Sequence, residues 1–271
     1  MHLHNDSASF SFTVDTQPPV ITITRRPPTP TADPTPDFAF SADEAASFTC
    51  AVDNGSAQKC ESPLTLEALN DGPHSLAIKA TDQLGHESEK TVPFSIDTAA
   101  PVPVITETSP ALSTDPRPSF SFSATEPVAF TCSINGDTPL PCSSPFEVPD
   151  PLFDGSHSFE VFATDLAGNR GRATATFAID ATAPQTFISS HPRKFVRASK
   201  RGIVGVLRFR SNESNVVLAC KIDRGLWHFC RARITRRFKP GRHTITVKAQ
   251  DEAGNVDPTP AVYRFVVRRR G

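Results

Sequence analysis

The chain has 271 residues, 38% of them hydrophobic, and a formal net charge of −1. That length suits two or three domains of ordinary size, and no apolar run approaches the roughly 18 residues a membrane-spanning helix needs. Its 26 prolines, 13 glycines and 20 phenylalanines, and the absence of any sustained 3.6-residue period, speak against a helical protein and predict all-β architecture built from short strands.

The start, Met1-His2-Leu3-His4-Asn5-Asp6, has no basic segment followed by an apolar one, so it is not a secretory signal. Phe10-Ser11-Phe12-Thr13-Val14-Asp15 reads as the closing strand of a preceding repeat. We therefore expect residues 1–18 to be the end of a truncated copy and the chain to be a piece of a longer array. The first full copy, 19–100, carries Phe48-Thr49-Cys50, Cys60, Asp71-Gly72-Pro73-His74-Ser75, Ala80-Thr81-Asp82 and Phe94-Ser95-Ile96-Asp97. The second, 101–184, repeats these as Phe130-Thr131-Cys132, Cys142, Asp154-Gly155-Ser156-His157-Ser158, Ala163-Thr164-Asp165 with Gly168-Asn169, and Phe177-Ala178-Ile179-Asp180. The third, 185–271, answers with Leu218-Ala219-Cys220, Cys230, Pro240-Gly241-Arg242-His243-Thr244 and Asp251-Glu252-Ala253-Gly254-Asn255. First cysteines lie 82 and 88 residues apart, a period that fits one small β-sandwich per copy. In the second copy, strands are expected over Val102–Thr106, Ser119–Ser123, Val128–Ile134, His157–Ala163 and Arg172–Ile179, about seven in all once the shorter ones are included.

These motifs, together with Asp257-Pro258-Thr259-Pro260-Ala261 in the third copy, resemble bacterial Ig-like domains that occur in tandem in surface and secreted proteins. The resemblance spans nearly the whole chain and implies tandem immunoglobulin-like or fibronectin-III-like β-sandwiches. It departs at His86, where the later copies have Asn169 and Asn255.

The six cysteines form three pairs with nine residues between partners, each centred on a turn at Gly55, Asp137 or Gly225. Residues equidistant from a hairpin turn face each other within disulfide reach. We therefore expect Cys50–Cys60, Cys132–Cys142 and Cys220–Cys230 bridges and an oxidising, extracellular or cell-surface location. Zinc sites favour closer Cys pairs, which this spacing does not supply.

His74, Ser75 and Asp82 could be forced into a catalytic triad, but His74, His157 and His243 recur at one position in every copy. A half-buried strand-start role explains that recurrence, no catalytic or phosphate-binding motif appears, and we expect no enzyme. The Asp165…Gly168-Asn169 segment suits a turn whose carboxylate accepts backbone N–H bonds. Its functional alternative is calcium, held at a domain junction by Asp165, Asn169 and the linker Asp180.

Charge divides sharply along the chain. Up to Ser190, 8 Lys and Arg stand against 24 Asp and Glu, a balance of −16; from His191 onward, 20 stand against 5, a balance of +15. The cations Arg231, Arg233, Arg236, Arg237, Arg268, Arg269 and Arg270 are the candidate contacts for a polyanionic polymer, glycan or other surface protein. Nucleic-acid readout modules are absent, and Trp227 falls in the cysteine hairpin. The expected protein is a monomeric, non-catalytic adhesion or spacer scaffold; a carbohydrate-binding accessory region of a secreted hydrolase is the alternative.

Overall fold

A computed structural model describes residues 14–270, so the closing strand expected at residues 10–15 lies largely outside the described residues. Among the described residues there is no helix, and every regular element is a strand. Contact density separates two units. One holds the residues up to Pro103 with Ala124–Thr131 and Phe162–Ala173; the other holds Val104–Ser123, Cys132–Val161 and the residues from Thr174 onward.

In the first unit the first repeat is a sandwich of two sheets. β1 (Ile21–Arg25), β2 (Asp37–Ala42) and β5 (Leu64–Thr65) form one sheet in the order β1-β2-β5. β3 (Ser47–Val52), β4 (Gln58–Cys60), β6 (Gly72–Thr81) and β7 (Glu87–Ile96) form the other, in the order β4-β3-β6-β7. The alternating pattern of β6 sends Leu76, Ile78 and Ala80 inward at 0% exposure, and β2 adds Phe38 and Phe40 from the facing sheet. Phe38 meets Phe94 edge-on at 5.2 Å between ring centres, and Phe40 meets Phe48 at 5.0 Å. Burying each such phenylalanine contributes about 1.5–3 kcal/mol.

The second repeat runs through β8 (Pro103–Glu107), β9 (Leu112–Ser113), β10 (Ser119–Ala124), β11 (Ala129–Ile134), β12 (Leu140–Pro141), β13 (Phe146–Glu147), β14 (Gly155–Thr164) and β15 (Arg170–Ile179). Its sheets are ordered β13-β10-β8 and β12-β11-β14-β15-β9. The third comprises β16 (Thr186–Ser190), β17 (Phe195–Ala198), β18 (Ile203–Ser211), β19 (Val217–Ile222), β20 (His228–Phe229), β21 (Arg233–Phe238), β22 (Gly241–Gln250) and β23 (Ala261–Arg269). It forms sheets β16-β18-β21 and β17-β23-β22-β19-β20 around a core containing Leu207, Phe209, Phe238, Ile245, Val247 and Phe265. The ladders of the first repeat's two sheets run antiparallel, as do β16–β18, β18–β21, β19–β22 and β22–β23, whereas β9 lies parallel to β15 and β17 to β23.

Two sequence motifs acquire a shared local cause. Gly72, Gly155 and Gly241 open the long strands at φ of 133°, 137° and 153°, a region a side chain rarely tolerates. The Ser-Pro pairs supply a second recurrent device: Ser62 Oγ accepts the N–H of Phe40 and Ser144 Oγ that of Phe122, each at 2.9 Å. Asp257, at 2% exposure, accepts N–H bonds from Thr186 at 3.0 Å and Thr259 at 2.8 Å, so the Asp-Pro-Thr-Pro-Ala stretch ties the end of the third repeat to its beginning.

Candidate functional site

Each cysteine hairpin is closed twice. The disulfides Cys50–Cys60, Cys132–Cys142 and Cys220–Cys230 all span 5.8 Å between Cα atoms. In the first and third repeats the bonded cysteines do not face each other directly, contrary to what equidistance from Gly55 and Gly225 suggested. Cys50 faces Gln58 and Cys60 faces Phe48, while Cys220 faces His228. In the first repeat the Asp53-Asn54 turn sits one residue earlier, both residues at positive φ, so the bridge runs diagonally across the ladder.

The strand-start histidines hold these hairpins from below. In the first repeat His74 Nδ1 lies 2.6 Å from Asp53 Oδ2 and its Nε2 lies 2.7 Å from the carbonyl of Asn70. His243 makes the same two contacts with Asp223, at 2.9 Å, and Lys239 O, at 2.8 Å. In the second repeat the turn residue is Asn135, whose amide meets His157 Nδ1 at 3.0 Å. Both ring nitrogens have a polar partner in every copy, so each imidazole braces its own hairpin. Hydrogen bonds to Asn70 O and Asp53 raise the His74 pKa, and the bond from His74 lowers that of Asp53. His74 therefore stabilises fully below pH about 6.5 and loses its contribution as pH rises through its raised pKa. Asp53 contributes above about 3.8 and fails as pH falls through its lowered pKa. With Asp53 44% exposed the effect is small. We expect Asp53→Asn, which copies Asn135, to flatten the decline in melting temperature between about pH 6.5 and 8; an unchanged slope in a pH-resolved thermal scan would remove the clamp's role.

A second constellation surrounds the Asp…Gly-Asn turns. Asp165 Oδ1 accepts N–H bonds from Gly168 and Asn169 at 2.8 and 2.9 Å. Asn169 Nδ2 donates to Asp165 Oδ2 at 2.9 Å and to the Asp97 carbonyl at 2.7 Å. Asp251 and Asn255 reproduce the arrangement, Asn255 Nδ2 reaching Asp180 O at 2.7 Å. In the first repeat His86 stands in for the asparagine, its Nδ1 2.8 Å from Asp82 Oδ2. Burial works to raise the Asp165 carboxyl, but the Asn169 amide and the surrounding N–H groups outweigh it and hold the group low.

Beside these turns carboxylates gather. One oxygen from each of Asp97, Glu126 and Asp165 lies within 4.8 Å of the others, and so do those of Asp15, Glu44 and Asp82. Asp180, Glu213 and Asp251 occupy the equivalent positions one repeat on and line one cleft with Asp154. Burial, then the charges of Asp251 and Asp154, raise Asp180; burial, then Asp180, Asp251 and Asp154, raise Glu213. The trio Asp165, Asn169 and Asp180 expected from sequence thus draws members from two equivalent clusters. The linker residue that Asn169 grips is Asp97. Sequence reading missed Glu44, Glu126 and Glu213, although each sits two residues beyond the end of a core strand, at β2, β10 or β18.

The basic residues divide between the two faces of the third repeat. Arg231 lies just before β21, which Arg233 opens. Arg233 faces Arg208 and Arg237 faces Val204 on the three-stranded sheet, whereas Arg236 lies opposite Gly205 on the other side of the strand. Arg268 and Arg269 end β23 in the five-stranded sheet, Arg268 lying 5.4 Å from the Phe195 ring centre, and the Arg270 N–H binds Ala198 O at 2.9 Å. The seven arginines expected to act together therefore lie on two sheets. Arg208 and Arg210 were missed because only register brings them beside Arg233.

No protein-family model matches the chain, and no curated protein does. Similar solved structures include the fibronectin(III)-like modules of Clostridium thermocellum CbhA, at 16% identity over 62% of this chain and 95% of that one, TM-score 0.37. A 1.5-MDa bacterial ice-binding adhesin matches at 12% identity, 94% and 100% coverage and TM-score 0.38. Three N-terminal domains of the bacteriophage RB49 outer capsid protein Hoc match at 9%, 93% and 100%, with TM-score 0.40. These likenesses are too distant to carry a functional assignment. Tandem all-β sandwiches, each with one disulfide, point to an extracellular or cell-surface protein.

Proposed function

We propose that the chain is a non-catalytic extracellular scaffold whose modules are residues 19–100, 101–184 and 185–271, and whose basic third repeat contacts polyanionic cell-wall or matrix material. The observation that carries this reading is the contrast between recurrence and exception. The disulfide, the histidine clamp and the turn at Asp82, Asp165 or Asp251 recur in every repeat and serve the fold. The charge does not recur: 20 of the 28 Lys and Arg fall in the third repeat. There Arg208 faces Arg233 directly, a like-charge pair that destabilises a sheet and that a polyanion relieves.

Binding of the full chain to inorganic polyphosphate, measured across a salt series, tests this reading. About four neutralised charges predict a fall in affinity of roughly 100-fold between about 50 and 200 mM salt. Absence of binding at the lowest salt would overturn it.

A further inference from the structure

We infer that the outward face of the five-stranded sheet of the third repeat is a platform for an acidic polysaccharide. Trp227 and Phe229 stack on its sugar rings, and Lys221, Lys248, Arg242 and Arg264 meet its carboxylates or sulfates. The inference rests on the polyanion contact proposed above and names its partner.

Register places these side chains together. Ala219 faces Phe229 on β20 and Lys248 on β22, Lys221 faces Thr246, and Thr244 faces Arg264 on β23. Arg242 lies two residues from Thr244 on the same side of β22, because alternate residues share a face. The opposite side of β22, Ile245, Val247 and Ala249, is the core. Strands about 4.8 Å apart, with same-face residues about 6.7 Å apart along each, place the four cations on one side of the sheet. At its edge Phe229 is 80% and Trp227 41% exposed. Lys248 Nζ lies 5.0 Å from the Trp227 ring centre, which joins the aromatic edge to the charged field. None of the four cations has an acidic partner among the described residues.

The fold does not require these residue types. The positions of Trp227 and Phe229 are held by Ala57 and Lys59 in the first repeat, and by Pro139 and Pro141 in the second. Those of Arg242 and Arg264 are held by Pro73 and Pro93, then by Ser156 and Thr176. Exposed aromatics grouped beside unpaired cations mark a binding surface rather than a packing need. A sugar acid satisfies both halves: the C–H face of its ring covers an aromatic plane, and its edge carboxylate takes a guanidinium fork. A polyphosphate offers charge but no ring face.

The test is binding of the full chain to polygalacturonate, polyphosphate and anionic phosphatidylglycerol vesicles, each across a salt series. We expect polygalacturonate to stay bound at salt that releases polyphosphate. Trp227→Ala is expected to weaken polygalacturonate about tenfold, as loss of a stacked aromatic does, and to leave polyphosphate unchanged. Trp227→Phe should restore most of the loss, while Arg242→Gln should weaken both polymers. Release of both polymers together, with Trp227→Ala silent, would overturn the platform and leave the polyanion contact standing. Preference for vesicles, lost in Trp227→Ala, would overturn it in favour of a lipid surface, and failure of every polyanion to bind would overturn both readings.

Discussion

Phe159→Ala is expected to destabilise the second repeat by about 3–5 kcal/mol, a large share of the roughly 5–15 kcal/mol that holds a small domain folded. The side chain is fully buried at the centre of β14. Its ring stacks on Phe120 at 4.2 Å and 10°, lies 5.6 Å from Phe146, and approaches Phe122 at 6.0 Å. Both β10 and β13 therefore rest on one ring contributed by the facing sheet. Truncation removes the transfer energy of the ring and leaves a cavity lined by three phenylalanines that rotation cannot fill. Guanidinium denaturation of the full chain should show one transition moving to low denaturant while the others stay. Phe159→Leu should lose about half as much, and a shift below about 1 kcal/mol would show that the core repacks.

For the double replacement of Cys220 and Cys230 by alanine, opening a loop of about eleven residues alone accounts for about 2.8 kcal/mol of lost stability on the chain-entropy model. The loss should exceed this figure, because Cys220 is itself at 0% exposure within the core and its sulfur fills volume there. Denaturation of the oxidised chain beside the double variant reads the difference. A loss of less than about 1 kcal/mol would mean that the hairpin keeps its shape in the unfolded chain.

The strands that sequence placed best are those with clean alternation. Ser119–Ser123 and His157–Ala163 reappear within one or two residues as β10 and β14, because a half-buried strand writes its two faces into every second residue. The second repeat nevertheless has eight strands rather than about seven. The extra element β9 is two residues long, Leu112–Ser113, and two residues cannot display a period. The candidate surfaces were less legible for a related reason. Arginines were grouped by nearness in sequence, whereas the sheet groups them by register. Arg242 and Arg264 share a face although 22 residues separate them, and Arg236 and Arg237 turn to opposite sides. The carboxylate clusters hid in the same way, since each draws one member from a linker, one from a strand end and one from a turn. Only the repeat frame, followed through Glu44, Glu126 and Glu213, could have revealed them.

The parallel pairings at the edges of the repeats carry a mechanical meaning. Near the entry of each repeat a short segment lies parallel to the strand that leaves it. The first has the single bridge Thr31–Ile96. The second has two pairs, Ala178–Leu112 and Ile179–Ser113. The third has four, from Phe195–Val266 to Ala198–Arg269. Tension on the two ends of such a pair loads its hydrogen bonds side by side, so they must yield together instead of opening one at a time. Under a pull between the two ends of each repeat, resistance to rupture is therefore graded from the first repeat to the third.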